Sequence, residues 1–207
     1  RLTEILYGGT ASDNTKAEYF PLNGGTVGSK GTQPIEQTPV FENDENGQEV
    51  LSAYAGTKVI YDLSINKAAG SMSVWMNTKD TGVRQILANE GTDKEILNLY
   101  IDNDNKVNLA IRNSADVFIN LITTAETINT NEWYFVALKW QFSGNILTCA
   151  LYLNSKTYTA SAEDFKDFSG GKAAVGTSTF GEYPLKGWVK RFSYSPYYLS
   201  ENEILAM

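Results

Sequence analysis

The chain has 207 residues and a formal net charge of -7, from 17 basic and 24 acidic side chains. This acidic balance argues against nucleic acid or an anionic membrane surface as a partner, because both require a basic protein surface. Histidine is absent, which excludes every His-dependent general base, catalytic triad and zinc site. No stretch is apolar for long enough to predict insertion into a membrane.

The first fifty residues contain few regular patterns and are rich in Gly, Asn, Thr and acidic residues. They predict an N-terminal arm over residues 1–17, a strand in EYFPLNG (18–24), and a long loop over 24–47, where GG, GS and NG pairs signal turns. The chain begins at Arg1 with neither an initiator Met nor a signal peptide, which predicts an excised domain or a mature fragment.

From residue 53 onward, short apolar runs alternate with turns. Strands are predicted over residues 58–65, 71–78, 85–91, 97–101, 107–111, 116–122, 133–142, 146–154, 172–179 and 188–195. Strands this close together, without helical periodicity between them, predict antiparallel sheets. Ser200 followed by Glu203 is a capping-box pattern and predicts a short C-terminal helical turn. Neither a repeat nor a second domain is visible, so residues 1–207 are expected to form one domain.

Side chains alternate between the two faces of a strand, so their parity separates core from surface. The residues predicted to form the core are Met72, Val74, Met76, Leu97, Leu99, Ile101, Val107, Leu109, Ile111, Val136, Leu138, Trp140, Leu151 and Leu153. Cys149 has the parity of Leu151 and Leu153, so we expect a buried, inert thiol rather than a nucleophile. It is the one cysteine of the chain, so no intrachain disulfide can form.

The opposite parity gives a polar and aromatic set, which we name the predicted face. Its members are Trp75, Asn98, Tyr100, Asn108, Arg112, Lys139, Tyr152 and Asn154. Planar rings fit the apolar face of a sugar, and amides and charged groups fit its hydroxyls. If the strands are neighbours, the set therefore predicts a glycan-binding surface. The alternative is that Trp75 and Tyr100 pack beneath a loop or a sheet edge, because aromatic rings are often buried.

Three segments follow one another in a recognisable order. NEWYFVALKW (131–140) opens a strand with Trp, ILTCALYLN (146–154) ends in Leu-Tyr-Leu-Asn, and GWVKRFSYSPYYLSENEIL (187–205) ends in Leu-Ser-x-x-Glu-Ile. This order resembles the laminin-G-like family of concanavalin A-like lectins and glucanases. The resemblance implies an all-β, two-sheet antiparallel jelly-roll sandwich and a role in glycan or surface recognition. Lys190 and Arg191 depart from the family, which usually has an acidic pair at these positions.

Asp102 and Asp104 are the candidate metal ligands, because Ca²⁺ prefers clustered oxygen atoms. Their segment, Asp-Asn-Asp-Asn, is too short for an EF-hand loop and lacks its Gly and its distal Glu. A plain hairpin turn is the alternative, since Asp and Asn are common in tight turns. Ca²⁺ held by separate loops, through Asp80, Glu90 or Asp93, is a further alternative.

Glu42, Asp44 and Glu45 are candidates for a pair of catalytic carboxylates of the kind used in glycoside hydrolysis. The resemblance implies that a glucanase would carry such acids on a strand with alternating apolar residues, and that a lyase would use a His with a Tyr. These acids lie instead in a Gly- and Asn-rich stretch, and the chain has no His. The chain is therefore predicted not to be an enzyme.

These observations predict a non-catalytic carbohydrate-binding or adhesion module of a larger bacterial surface, secreted or phage-tail protein. Its location would be extracellular, on the cell surface or on a virion, and its partners a glycan and other subunits of such an assembly. The alternatives are a structural protein–protein module and an unusual glycoside hydrolase. Exposed Trp75 and Tyr100 rings would favour a sugar, covered rings a protein interface, and two acids facing each other across a groove an enzyme.

Overall fold

In the computed structural model the described residues are 17–54, 56–90 and 94–207, and they form fifteen strands and one short helix. In chain order these are β1 (Glu18–Phe20), β2 (Glu36–Thr38), β3 (Phe41–Asn43), β4 (Glu49–Ala53), β5 (Lys58–Asp62), β6 (Ala69–Thr78), β7 (Arg84–Glu90), β8 (Glu95–Ile101), β9 (Lys106–Arg112), β10 (Phe118–Thr127), β11 (Tyr134–Ser143), β12 (Ile146–Leu153), β13 (Lys156–Ala162), β14 (Lys172–Val175), β15 (Gly187–Ser195) and α1 (Glu201–Leu205). No helix within these ranges is long and apolar enough to cross a membrane.

The strands assemble into two antiparallel sheets that pack face to face. Sheet A has the order β13-β12-β11-β6-β15-β4-β3, with β1 also paired to β15, and sheet B has the order β10-β9-β8-β7-β14-β5-β2. Tight hairpins join β8 to β9 and β11 to β12, at the turns that the sequence predicts. The predicted all-β, two-sheet antiparallel sandwich with a C-terminal helical turn is confirmed.

The sandwich contains more strand than the sequence predicts. The loop expected over 24–47 contains β2 and β3, and neither β4 nor β13 is among the predicted strands. β2 and β3 have three residues each and mostly exposed side chains, so they lack the apolar alternation that identifies a strand. Pairing with β5 and β4 makes them strands. The arm predicted over 1–17 lies outside the described residues, apart from Ala17.

The core lies between the two sheets and contains every residue that parity predicts there. Trp140 is its largest fully buried side chain. The indole Nε1 donates to the backbone carbonyl of Asn66 at 2.9 Å, and the ring meets Phe168 edge-on at a centroid distance of 5.7 Å. The ring also lies against Gly70, where a Cβ atom would overlap it. Glycine at this position therefore makes room for the largest core side chain.

Cys149 is fully buried in this core, as its parity predicts. Burial raises the pKa of its thiol to about 12, so very little reactive thiolate exists at neutral pH. We expect a thiol reagent to label the native protein at least roughly 100-fold more slowly than the same protein in denaturant. The measurement is the labelling rate at pH 7 under both conditions. Fast labelling of the native protein would contradict the buried position.

Residues 199–207, which we name the C-terminal segment, fold back over the outer face of sheet A. α1 begins after Ser200, whose Oγ accepts the backbone N–H of Glu203 while the Glu203 carboxylate accepts the backbone N–H of Ser200. This is the predicted capping box. Leu199 and Ile204 are buried in a second apolar cluster with Phe135 of β11. The C-terminal segment therefore closes part of the outer face of sheet A to solvent.

Candidate functional site

The structure divides the predicted face between the two sheets. On the outer face of sheet A lie Trp75, Lys139 and Tyr152. On the outer face of sheet B lie Asn98, Tyr100, Asn108 and Arg112, while Asn154 is in the turn between β12 and β13. The core separates the two groups, so the strands are not all neighbours and the condition on which the sequence predicts one glycan-binding surface is not met. Parity tells which side of a strand a residue faces, but it does not tell which sheet contains the strand.

The sheet A group is covered by the C-terminal segment. Tyr152 is 2% exposed and Lys139 is 7% exposed, and the Lys139 ammonium donates to the backbone carbonyl of Leu199 at 3.1 Å. Trp75 is half-buried and meets Phe135 at a centroid distance of 5.7 Å. These side chains hold the C-terminal segment in place, and a sugar has no open path to the Tyr152 ring.

The sheet B group is bonded within the protein. The Tyr100 hydroxyl donates to an asparagine of β10 at 2.8 Å, and the buried Asn108 amide donates to Asp102 at 2.8 Å. Arg112 donates to two backbone carbonyls. Asn154, at a positive φ of 53°, closes its turn and accepts a backbone N–H of β11 at 2.9 Å. These hydrogen bonds stabilise strands and turns, and a ligand would have to replace them.

The candidate metal ligands lie in a hairpin turn. Asp102 Oδ1 accepts the backbone N–H groups of Asp104 and Lys106, each at 2.9 Å, and Oδ2 accepts the amide of Asn108. This arrangement is an Asx turn. Over residues 17–54, 56–90 and 94–207, no group of three or more His, Cys, Asp or Glu residues is placed to hold a metal ion. Calcium binding stays a prediction, and it has no defined site in these ranges.

Two of the three acids considered as catalytic candidates anchor tryptophans instead. Glu42 on β3 accepts the indole N–H of Trp188 at 3.0 Å, and Glu45 in the β3–β4 turn accepts the indole N–H of Trp133 at 2.8 Å. Both carboxylates are exposed and both rings are half-buried. The acids therefore fix the orientation of two indoles on the outer face of sheet A.

These two indoles, Trp133 and Trp188, form a unit that we name the tryptophan pair. The rings stack with their centroids 6.4 Å apart and their planes at 27°. The Lys79 ammonium lies 3.6 Å from the centroid of Trp188, and the Lys190 ammonium lies 3.9 Å from that of Trp133. Each ammonium is attracted to the face of its ring, so the two cation–π contacts help to hold the rings in place. The pair is thus a built aromatic surface beyond the part that the C-terminal segment covers.

An unsatisfied amide lies beneath the tryptophan pair. Asn77 is the β6 partner of Trp188, and Trp133 directly precedes the β11 residue that pairs with Met76. Asn77 is fully buried, and neither its Oδ1 nor its Nδ2 has a hydrogen-bond partner in the protein. A buried amide without partners carries a cost in free energy, and a functional role is one explanation for such a group in a native structure.

Lys190 is neutralised by Asp44, the third acid. Its Nζ lies 3.3 Å from Asp44 Oδ2, and Asp44 Oδ1 accepts the backbone N–H groups of Asn46 and Gln48, each at 2.9 Å. Burial opposes the ionisation of Asp44, but these donors and Lys190 outweigh it and lower the pKa of the carboxyl. A general acid needs the opposite shift. Asp44 is therefore a charged structural anchor.

β15 contains a β-bulge. Its register with β6 shifts between Lys190 and Ser193, and Arg191 within the bulge has a positive φ of 53°. On the other side of β15, β4 pairs with its first residues and β1 pairs with residues beyond the bulge. The backbone N–H of Arg191 donates to the carbonyl of Pro21, next to β1, at 3.0 Å. A gap between β1 and β4 is left beside the bulge.

A cleft of about 390 Å³ opens at this gap, which is a usual size for a ligand site. Its lining consists of Tyr19, Pro21, Asn23, Gln48, Glu49, Lys190 and Arg191. Burial raises the pKa of the Tyr19 hydroxyl, although the charge of Arg191 and a hydrogen bond with it act in the opposite direction. Lys190 belongs to the cleft and contacts Trp133, so the cleft and the tryptophan pair are continuous. We name the combined surface the β15 site.

The predicted face contains no residue of the β15 site. The sequence does contain a signal for the tryptophan pair. Trp188 and Lys190 have the parity opposite to the core residue Val189, and Trp133 precedes a core position. The cleft had no comparable signal. It depends on the meeting of β1, β4 and β15, which are far apart in the chain, and on a backbone bulge whose position parity does not give.

Several solved structures share this fold. Domain 4 of a GH43 extracellular arabinanase from Geobacillus stearothermophilus, in complex with arabinotriose, gives a TM-score of 0.67 at 14% identity, covering 92% of this chain and 97% of that one. The CBM40 domain of the Ruminococcus gnavus IT-sialidase, bound to α2,3-sialyllactose, gives 0.54 at 19% identity, covering 84% and 97%. The receptor-binding domain of botulinum neurotoxin type G gives 0.62 at 12% identity, covering 92% of this chain and 49% of that one, so the present chain spans about half of it.

At these identities the likeness shows the fold alone, and no curated protein sequence matches the chain. The family match is more specific. The family described as Laminin_G_3, concanavalin A-like lectin/glucanases superfamily, matches residues 52–205, about three quarters of the chain. The matched range includes the three segments whose order resembles that family. The chain therefore belongs to the Laminin_G_3 family of the concanavalin A-like lectin/glucanase superfamily.

Proposed function

We propose that this domain is a non-catalytic carbohydrate-binding module and that the β15 site binds the glycan. The observation that carries the proposal is the continuity, through Lys190, of a polar cleft of ligand size with two half-buried indoles. A sugar presents apolar C–H faces and a rim of hydroxyls, so its recognition requires aromatic rings beside planar polar groups. The amides of Asn23 and Gln48 and the guanidinium of Arg191 supply such groups in the cleft.

The solved structures of the same fold support a glycan as the class of ligand. The arabinanase domain was obtained with arabinotriose, and the CBM40 domain with sialyllactose. Both are domains of glycan-degrading enzymes that have the size of the present chain, since each is covered over 97% of its length. Their different sugars mean that the fold does not determine the specificity, which must come from the side chains of the site.

A binding role without catalysis agrees with the chemistry of the described surface. The three acids of residues 42–45 hold Trp188, Trp133 and Lys190, and the sequence contains no His to act as a base. We place the domain outside the cell, on a cell surface or on a virion, within a larger protein. There it would bring a partner domain or a whole particle to extracellular glycans.

Replacing Trp188 with alanine tests the proposed site. An aromatic ring under a sugar is expected to contribute as a ring under a nucleic-acid base does, about 1 to 3 kcal/mol, so binding should weaken by roughly 5-fold to 150-fold. A glycan array, with and without Ca²⁺, identifies the ligand, and calorimetric titration measures the loss. Circular dichroism confirms that the variant is folded, which we expect because Trp188 is only half-buried.

Tyr100→Ala is the matched control, since it removes a half-buried ring from the opposite sheet. Its glycan binding should equal that of the wild type. Loss of binding in Tyr100→Ala with normal binding in Trp188→Ala would move the site to sheet B. A wild-type protein that binds no glycan on a broad array would refute the proposed function. Binding that requires Ca²⁺ would support the calcium prediction.

A further inference from the structure

Arg191 differs from the other arginines of the described chain. Arg84 and Arg112 lie 2.7 and 3.9 Å from aspartate carboxylates. Arg191 forms no ion pair with any acid in the described ranges, and its guanidinium bonds to the Tyr19 hydroxyl instead. Acids outnumber bases by 24 to 17 in the chain, so a shortage of acids does not explain this. The neighbouring Lys190, in contrast, has its own carboxylate partner in Asp44.

An unpaired acid lines the same cleft. Glu49 belongs to the lining and has no ion pair with any base in the part of the chain that the structure describes. Its carboxylate lies against Gly24, which has a φ of 83° and no Cβ, so the side chain can approach the backbone closely. The cleft thus presents a guanidinium and a carboxylate that do not neutralise each other. Such a cleft complements a ligand with both an anionic group and O–H or N–H donors.

The position of Arg191 is fixed by the fold. A residue other than glycine at a φ of 53° is uncommon and carries some strain. The surroundings maintain it through the bulge of β15 and the hydrogen bond from its backbone N–H to the Pro21 carbonyl. The base of the side chain is therefore positioned before any ligand arrives, which lowers the entropy lost on binding.

We infer that the β15 cleft recognises the carboxylate of an acidic sugar, with the Arg191 guanidinium as its partner and Glu49 as the acceptor for a neighbouring hydroxyl. This inference rests on the proposed function and narrows its ligand class. A guanidinium presents parallel N–H donors that match the two oxygens of a carboxylate. A uronic acid and a sialic acid both carry this group beside hydroxyls, and they are the two sources to distinguish.

The overall charge of the protein predicts how the binding of an acidic sugar should depend on salt. With a net charge of -7, the protein repels an anionic polymer at long range, so affinity for an acidic sugar must come from local contacts. A short acidic oligosaccharide should therefore bind with only weak dependence on salt. A basic surface that attracts polyanions would show a strong dependence instead.

The test compares each acidic oligosaccharide with its neutral counterpart. One pair is a uronic-acid trisaccharide and its carboxyl-reduced form, and the other is sialyllactose and lactose. Wild-type protein is expected to prefer the acidic member of one pair by about tenfold or more, because hydrogen bonds between charged groups are the strong ones. Arg191→Gln should reduce this preference to nearly one. Arg191→Lys keeps the charge but lacks the parallel N–H donors of the guanidinium, and it should retain only part of the preference.

Lys106→Gln is the matched control, because it removes the same charge from β9 on the other sheet. It should keep the full preference. Equal binding of acidic and neutral sugars by the wild type, lost in Trp188→Ala, would overturn the inference and leave the proposed function standing. A preference for acidic sugars that survives in Arg191→Gln would also overturn it. If the wild type bound none of the four sugars and no glycan on the array, both the inference and the proposed function would be refuted.

Discussion

Replacing Trp140 with alanine is expected to lower the free energy of unfolding by about 3 to 5 kcal/mol. The indole is fully buried between the sheets, against Phe168 and Gly70, so its removal leaves a cavity. It also removes the donor that satisfies the Asn66 carbonyl. A domain of this kind has a total stability of roughly 5 to 15 kcal/mol, so the loss is a large share of the whole. Denaturant titration of both proteins measures it.

Trp133→Ala is the matched control for this experiment, since it truncates an indole that is half-buried rather than fully buried. We expect a loss of about 1 kcal/mol or less, because solvent fills the space that the ring leaves. Equal losses in Trp133→Ala and Trp140→Ala would contradict the assignment of Trp140 to the core and of Trp133 to the surface.

The second large effect is expected at Trp75, where alanine should lower the free energy of unfolding by about 3 kcal/mol. The ring packs on Phe135 and against the cluster that contains Leu199 and Ile204. Its loss should undock the C-terminal segment as well as remove packing within sheet A. Glycan binding at the β15 site should be unchanged. Thermal melting and the titration used for Trp188→Ala give the two measurements.

Ser200→Ala separates packing from helix formation, because it removes the N-cap of α1 and leaves the Trp75 ring in place. Loss of such a cap costs about 1 kcal/mol, so this variant should be the more stable of the two. If Trp75→Ala instead kept full stability and lost glycan binding, the ring would be a binding surface, and the packing role assigned to it would be wrong.

Local patterns in the sequence predicted antiparallel sheets, and the resemblance of three segments to the laminin-G-like family implied their two-sheet arrangement. Alternation of apolar residues identified the core, because a two-sheet sandwich buries one face of every long strand. The Ser200 and Glu203 spacing identified the helix cap. β2 and β3 were not predicted, because each has three residues and lies at the edge of its sheet, where pairing rather than composition decides the structure.

The candidate site required information that a single sequence does not contain. Trp75 and Tyr100 each have the parity opposite to the core residues of their own strand. They nevertheless lie on opposite faces of the sandwich, because their strands belong to different sheets. The cleft arises where β1 and β4 both meet β15, so its lining combines residues 19–23, 48–49 and 190–191. Pairing between such distant segments is decided by the tertiary structure as a whole.

Different residues of β15 pack the core and form the outer surface. Val189 and Phe192 point into the core, whereas Trp188, Lys190 and Arg191 belong to the β15 site. Substitutions at the second set would change the proposed binding surface while the packed side chains beneath stay the same. If the β15 site binds a glycan as proposed, relatives with this sandwich would be free to diverge in sugar preference without losing the fold, and libraries randomised at these outward positions would offer a route to binders with new specificities.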